Sequence, residues 1–333
     1  MIRKIKIHGY KCIKDMEIDC GALTLLAGDN MSGKTAVIEA LLSGEGREES
    51  GFPSLPAGFN DIHTDGLDDG VITVETVNDD GRTHYTMFCR NGTVAAESNV
   101  NTVFGYIPAA KTLMRPKSNV FISSGISVAG MSGIRIESAQ KVLDDEMVVS
   151  YPDTMAGQIC MWVKKITGVA MESRGRDQEY FFVREKGGRS IAGTVTGAGI
   201  KNTVNIVWSC LSSPKGAVIC VEDPETGLSP RAQHEMAEFL YFIASAGRQV
   251  IVETHSDHIF NAIRAWISIG EIDHEKVFFN YLVLNEDLRE TECNPVKVGR
   301  YGHLKGMNSK MTLDGFFDQF SKDLDVMLGL CDP

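Results

Sequence analysis

The sequence predicts an α/β fold with a mixed sheet, an antiparallel β-subdomain toward the N-terminus and an inserted helical arm, and three observations predict it. The first is residues 28–35, Gly28-Asp29-Asn30-Met31-Ser32-Gly33-Lys34-Thr35, which fit G-x-x-x-x-G-K-[ST] at every position. The second is their setting: the apolar run Ala22 to Ala27 precedes them and a helical apolar pattern from Ala36 to Leu42 follows, the strand–loop–helix context that this motif needs. The third is the regular alternation beyond Gly197: a helix from Ile200 to Ser212, a strand from Ala217 to Val221, a helix from Pro230 to Ala246, a strand from Gln249 to Val252 and a helix from Asp257 to Ile269. Such alternation builds parallel strands joined by right-handed crossovers.

Each element has its own signal. Ile2 to Ile7 alternates apolar and basic residues, and Met16 to Cys20 alternates again, so a small β-layer precedes the glycine-rich loop. Ser43 to Gly70 is rich in Gly, Pro, Ser and Asp and carries no period, which reads as an extended connection. Val71 to Val77, Thr83 to Cys89 and Thr93 to Ala95, separated by Asp80-Gly81 and Asn91-Gly92, read as an antiparallel meander. Ser138 to Thr167 turns helical, and Glu179 to Val183 reads as a strand entering the turn Lys186 to Arg189; together they form the arm. Ser229 before Pro230, and Ser256 before Asp257, are N-cap residues for the two later helices. Val277 to Leu284 reads as a strand and Leu313 to Leu328 as an amphipathic closing helix.

Bulk properties narrow the function. With 333 residues, 43% of them apolar and 23% charged, the chain can bury a large core. A net charge of −11 argues against a uniformly basic surface. Two local basic runs, Arg3 to Lys14 and Lys164 to Arg189, leave a nucleic-acid contact open beside the plainer reading of solvated charge. The eight cysteines are scattered without a C-x-x-C pair, as reduced core thiols are. The first residues are strand-like and charged, and no apolar run reaches the ~18 residues of a membrane span, so a soluble cytoplasmic protein without a membrane partner is expected.

The chemistry concentrates at three places. In the loop, Gly28 and Gly33 let backbone N–H groups of Asn30, Met31, Ser32 and Ala36 turn toward a polyphosphate, Lys34 adds a point charge, and the Thr35 hydroxyl can ligate Mg²⁺. The second strand of the regular half ends in Glu222-Asp223-Pro224-Glu225, which brings acids to the edge where open α/β sheets bind ligands. Glu222 is the candidate to hold hydrated Mg²⁺, and Asp223 the candidate to orient or deprotonate water. The next strand delivers Glu253-Thr254-His255-Ser256 to that edge, where His255 can donate to a γ-phosphate and register its presence. His258, one turn into the following helix, is a weaker candidate.

With these residues the sequence resembles the head domain of ABC-type ATPases of the SMC, RecF and OLD class. Its nearest likeness is to compact predicted ATPases of that class that lack a Toprim domain and occur in bacterial and phage-defence gene sets. The resemblance rests on Gly9-Tyr10-Lys11, the loop at 28–35, Gly197-Ala198-Gly199-Ile200-Lys201-Asn202, the acids at 222–225, Thr254-His255-Ser256 and Gly315-Phe316-Phe317-Asp318-Gln319. It implies a P-loop NTPase of one head: residues 1–42 as β-layer and phosphate loop, 43–196 as meander and arm, 197–270 as signature, acids and switch histidine, and 271–333 as its completion. It also implies ATP and Mg²⁺ as cofactors and a homodimer with ATP between two heads, where Gly197 and Gly199 of one head meet the nucleotide held by the other. Hydrolysis would open that dimer; a slower version would hold or release a separately encoded effector such as a nuclease. The chain departs from the class at Lys201 and Asn202, where Ser and Gln are common, at Gly227 and Ser229, where histidines are common, and at Asp223, where a glutamate is usual. No glutamine marks the loop that joins Mg²⁺ to the arm; Gly105 to Pro108 marks its neighbourhood.

Overall fold

The computed structural model describes residues 1–45, 57–92, 94–98, 104–107, 121–122, 155–174, 179–183, 191–192, 196–285, 289–305, 317 and 319–330. In chain order the strands are β1 (Ile2–Tyr10), β2 (Ile13–Asp19), β3 (Leu23–Ala27), β4 (Val71–Asn78), β5 (Thr83–Cys89), β6 (Val94–Ser98), β7 (Phe104–Ile107), β8 (Phe121–Ile122), β9 (Ala170–Arg174), β10 (Glu179–Val183), β11 (Ile191–Ala192), β12 (Val218–Glu222), β13 (Gln249–Glu253), β14 (Val277–Asn285), β15 (Glu290–Val298) and β16 (Leu304–Lys305). The helices are α1 (Lys34–Glu45), α2 (Phe59–Ile62), α3 (Met155–Thr167), α4 (Ala198–Ser212), α5 (Pro230–Ser245), α6 (Asp257–Ile269) and α7 (Gln319–Met327).

Two larger sheets face each other. The first runs β2-β1-β4-β5-β6 and is antiparallel throughout. The N-terminal alternation and the later meander, read from sequence as separate layers, are thus one sheet, because β1 pairs with β2 on one side and β4 on the other. The second runs β16-β15-β14-β3-β13-β12-β7-β8; its five central strands, β14 to β7, are mutually parallel and its ends are antiparallel. Strands β9 to β11 form a small third sheet.

The alternation of side chains across a strand explains how the layers close. Along β12, Ile219 and Val221 face one core while Val218 and Cys220 face the other; along β13, Val250 and Val252 divide from Ile251 in the same way. The first core is covered by α3, α4, α5 and α6, with Trp162 packed on Phe239 and Phe242. The second is filled by α1, whose Val37, Ile38, Ala40, Leu41 and Leu42 are all buried between the two sheets. A helix enclosed by sheets needs apolar residues all round, which the run Ala36 to Leu42 supplies.

The expected elements of the regular half are present with ends moved by one or two residues, and Ser229 and Ser256 cap α5 and α6 by accepting from the N–H groups of Ala232 and Ile259. Of the expected arm, Met155–Thr167 is helical and Glu179–Val183 a strand, while residues 138–154 and the turn at 186–189 lie outside the described residues. The connection at 43–70 is described only in part and contains the short α2. Of the expected closing helix, Gln319–Met327 is helical, while residues 313–316 and 318 lie outside the described residues; of the Gly315-to-Gln319 element, Phe317 stacks on Phe260 at 5.1 Å. The seven described cysteines are free thiols, and no helix among the described residues is long and apolar enough to cross a membrane.

Candidate nucleotide and cation site

The parallel strands all end on one edge, and three of them carry the groups singled out above. Strand β3 runs into the glycine-rich loop. Gly28 adopts φ +149°, and a Cβ there would stand 2.2 Å from the Leu282 carbonyl oxygen, so only glycine lets the loop leave the sheet at this point. The loop turns with Met31 at φ 66° and its side chain in solvent, and α1 opens with Val37 N–H donating to Gly33 O at 3.1 Å. Asn30 is exposed on the loop's outer side; Ser32 and Ala36 are buried beneath it.

Lys34 folds back over the loop. Its Nζ donates to Gly28 O at 2.8 Å, Asp29 O at 2.7 Å and Ser32 Oγ at 3.3 Å. Burial lowers its pKa, opposed by the carboxylates of Glu253, Asp223, Asp29 and Glu225. The ammonium is thus held by two carbonyls of its own loop.

The acid strand β12 does not lie next to β3. Strand β13 is interposed, with Glu253 in register with Glu222 on one side and Leu26 on the other. Thr35 Oγ1 accordingly donates to Glu253 Oε1 at 2.7 Å. Glu222 is buried one strand further along, and Glu253, which sequence reading passed over as a strand end, is the carboxylate that touches the loop threonine. A carboxylate closing an apolar strand, Val250-Ile251-Val252-Glu253, was the signal that could have found it. Burial pushes Glu253 up to about 7, against the Thr35 hydrogen bond and reinforced by the neighbouring Glu222 and Asp223.

Asp223 leaves β12 at φ 41°, a left-handed conformation costly for a residue with a Cβ. It is held there by its N–H, which donates to Glu253 O at 3.0 Å, and by the turn Thr226 N–H to Asp223 O at 3.0 Å. His255 Nε2 stands 3.9 Å from Asp223 Oδ1, and burial followed by the Lys34 charge lowers the imidazole pKa. The histidine's position is fixed from beneath: Glu225 Oε1 accepts the His255 backbone N–H at 2.6 Å and Glu225 Oε2 accepts the Thr254 hydroxyl at 2.9 Å. His258, by contrast, sits 3.7 Å from Asp257 on its own helix.

Of the two glycines at the start of α4, Gly199 meets the turn that follows the acids. Gly197 caps α4, and Gly199 packs so closely on Gly227 that a Cβ would stand 2.1 Å from the Gly227 oxygen. Gly227 has φ +74° and lies at the end of the turn that begins at Asp223, so the turn after the acids packs directly on the first turn of α4. Phe104–Ile107 lies beside β12 in the same sheet, which puts the Gly105 neighbourhood next to the acids; Pro108 lies outside the described residues.

Loop, acids and histidine thus converge on one sheet edge, and the fold that carries them is shared with solved structures. An SMC head domain from Thermotoga maritima superposes with a TM-score of 0.52 at 15% identity, covering 89% of this chain and 99% of that one. The chain has the fold of an SMC head domain. An SMC head bound to the C-terminal winged-helix domain of ScpA gives a TM-score of 0.58 at 11% identity over 90% of this chain and 98% of its own. A third head, from Pyrococcus furiosus with an extended coiled coil and the C-terminal domain of ScpA, gives 0.56 at 9% identity over 97% and 99%. Residues 123–261 of this head match the family described as "AAA domain, putative AbiEii toxin, Type IV TA system", a span that includes the acids and His255 but not the phosphate loop. No curated protein sequence matches the chain.

Proposed function

We propose that this head is a Mg²⁺-dependent ATPase that acts as a nucleotide-gated dimeric switch. The observation that carries the reading is the convergence of Lys34, Thr35, Glu222, Asp223 and His255 on one edge, joined through the Thr35–Glu253 hydrogen bond. In this reading Lys34 exchanges the Gly28 and Asp29 carbonyls for phosphate oxygens. Thr35 and Glu222 hold Mg²⁺, whose charge would offset that of the phosphates. The donor set fits a hard cation: Thr35 gives its proton to Glu253 and keeps lone pairs free, and the surrounding acids outnumber the one lysine. Asp223 takes the proton of the attacking water, and His255 donates toward the γ-phosphate oxygen that gains charge. Gly197 and Gly199 would complete the pocket of a second copy; because Gly199 packs on Gly227 at the end of the acid turn, hydrolysis at one site would loosen the contact with the other.

Purified wild type should hydrolyse ATP only with Mg²⁺, and Lys34→Ala and Asp223→Ala should each cut turnover at least a hundredfold. Equal rates in all three would remove the proposal. ATP should also shift the Asp223→Ala protein to a dimer in size-exclusion chromatography.

A second reading is favoured by Lys201 and Asn202 in the first turn of α4. There the head binds ATP tightly, turns over slowly, and uses nucleotide occupancy to hold or release a separately encoded effector. Tight binding with negligible turnover, with or without DNA, selects it. The match of residues 123–261 to a family described as a putative AbiEii toxin of a type IV TA system suits a role in a toxin–antitoxin pair; a setting in phage defence is tested by plaque counts on cells expressing wild type or Lys34→Ala.

A further inference from the structure

The interposed strand creates a feature that ATP binding does not need. Glu253 is 5% exposed; one carboxylate oxygen accepts from Thr35, and the other, Oε2, is buried and makes no hydrogen bond. Asp223 Oδ1, one peptide beyond β12, is likewise buried and makes none. Two orphaned carboxylate oxygens at one place cost several kcal/mol unless something positive lies between them. The nearby cation does not serve, because Lys34 gives its donors to Gly28 O, Asp29 O and Ser32 Oγ. Glu225 is not a competitor for a ligand either, since both its oxygens are taken by Thr254 and His255 N–H. Donor atoms of Asp223, Glu253 and His255 all lie within 4.8 Å of one another, the spread of ligands around a single ion.

We propose that Asp223, Glu253 and His255 form a divalent transition-metal site that fills in the absence of nucleotide. Two carboxylates and an imidazole suit Mn²⁺ and its first-row neighbours better than Mg²⁺, which takes oxygen ligands and keeps its water. The site shares the sheet edge with Thr35 and Glu222, the Mg²⁺ residues of the ATPase reading, but draws on Glu253 and the His255 ring. A resident ion would hold Asp223 and His255 in place before ATP arrives, and ATP would have to draw His255 away from it. The site needs no nucleotide, so it stands or falls separately from the proposed turnover.

The test is Mn²⁺ binding to the metal-stripped, nucleotide-free full chain, followed by electron paramagnetic resonance; Mn²⁺ also avoids the free thiols that would capture Zn²⁺. One Mn²⁺ per chain is expected, competed only by a large excess of Mg²⁺. Glu253→Gln and His255→Ala should each weaken binding at least tenfold, and His255→Ala should also erase the preference over Mg²⁺. Lys34→Ala should bind Mn²⁺ at least as tightly as wild type while losing ATP. Thermal unfolding of each variant confirms that it is folded, and Gln preserves the shape of Glu253. Absence of Mn²⁺ binding without ATP, or equal affinity in wild type, Glu253→Gln and His255→Ala, would overturn the site and leave the ATPase reading untouched.

Discussion

Thr35 Oγ1 and Glu253 Oε1, separated by 218 positions in the chain, lie 2.7 Å apart across the edge of the mixed sheet. The contact exists because β13 is threaded between the phosphate-loop strand and the acid strand, so the first carboxylate that Thr35 meets belongs to neither. It also places an acid where solvation is poor, with Glu222 in register beside it.

That placement makes stability depend on pH. Glu253 has its folded pKa raised from 4.5 to about 7 by burial, so the native state favours the protonated acid. Stability from this group is fully present below about pH 4.5 and is lost as pH rises through 7, where the unfolded chain has already released the proton. Glu253→Gln, which removes the charge and keeps the shape, should match wild type at about pH 4. In chelator at pH 8 it should be more stable, by up to roughly 3 kcal/mol. Urea midpoints at the two pH values read this directly; an equal difference at both would refute it.

Lys34 makes a second prediction. Its three hydrogen bonds tie the loop together, so Lys34→Ala should loosen the loop while costing about 1 kcal/mol or less of global stability, since the ammonium is buried at a penalty that offsets part of the bonds. Binding of a fluorescent ATP analogue should fall at least tenfold. Unchanged nucleotide affinity would mean that the ammonium never leaves the loop carbonyls.

Much of this site could be read locally. The phosphate loop, Glu222-Asp223-Pro224-Glu225 and Thr254-His255-Ser256 announce themselves because phosphate, metal and histidine chemistry each demand particular residues within a few positions. Glu253 did not, because its meaning depends on which strands are neighbours, and strand order is a long-range property that no window of sequence contains. The same cause hid the union of β1 and β2 with β4, β5 and β6. Strand β15 was missed for a local reason: Thr291, Val296 and Val298 are its buried residues, a broken alternation that Pro295 interrupts further.

The glycines of α4 separate structural from functional roles. A methyl group on Gly199 would meet the Gly227 oxygen at 2.1 Å, whereas one on Gly197 would meet nothing within 4 Å. Gly199→Ala should therefore destabilise the isolated chain by roughly 1–3 kcal/mol, visible as a lowered melting temperature. Gly197→Ala should leave melting within a degree or two and weaken only the ATP-dependent association of two copies. If both variants melt and associate like wild type, the α4 N-terminus has no part in the dimer.

Glu225 is a positioning residue for the switch, since it touches the backbone of His255 and the hydroxyl of Thr254 rather than any reacting atom. Its pKa is raised by burial although both oxygens accept hydrogen bonds, so an uncharged but shape-preserving replacement should be tolerated better than truncation. Glu225→Ala leaves an N–H and a hydroxyl without their partner at a cost of about 1–3 kcal/mol, and releases the loop that carries His255. Turnover should fall at least tenfold with little change in the Michaelis constant for ATP, because the hydrogen bonds of Glu225 go to Thr254 and His255, whereas those of Lys34 go to Gly28, Asp29 and Ser32. Glu225→Gln keeps an acceptor for one of the two donors and should recover part of the rate. A loss confined to the Michaelis constant in Glu225→Ala would show instead that this carboxylate shapes the nucleotide pocket, and that His255 is held by other contacts.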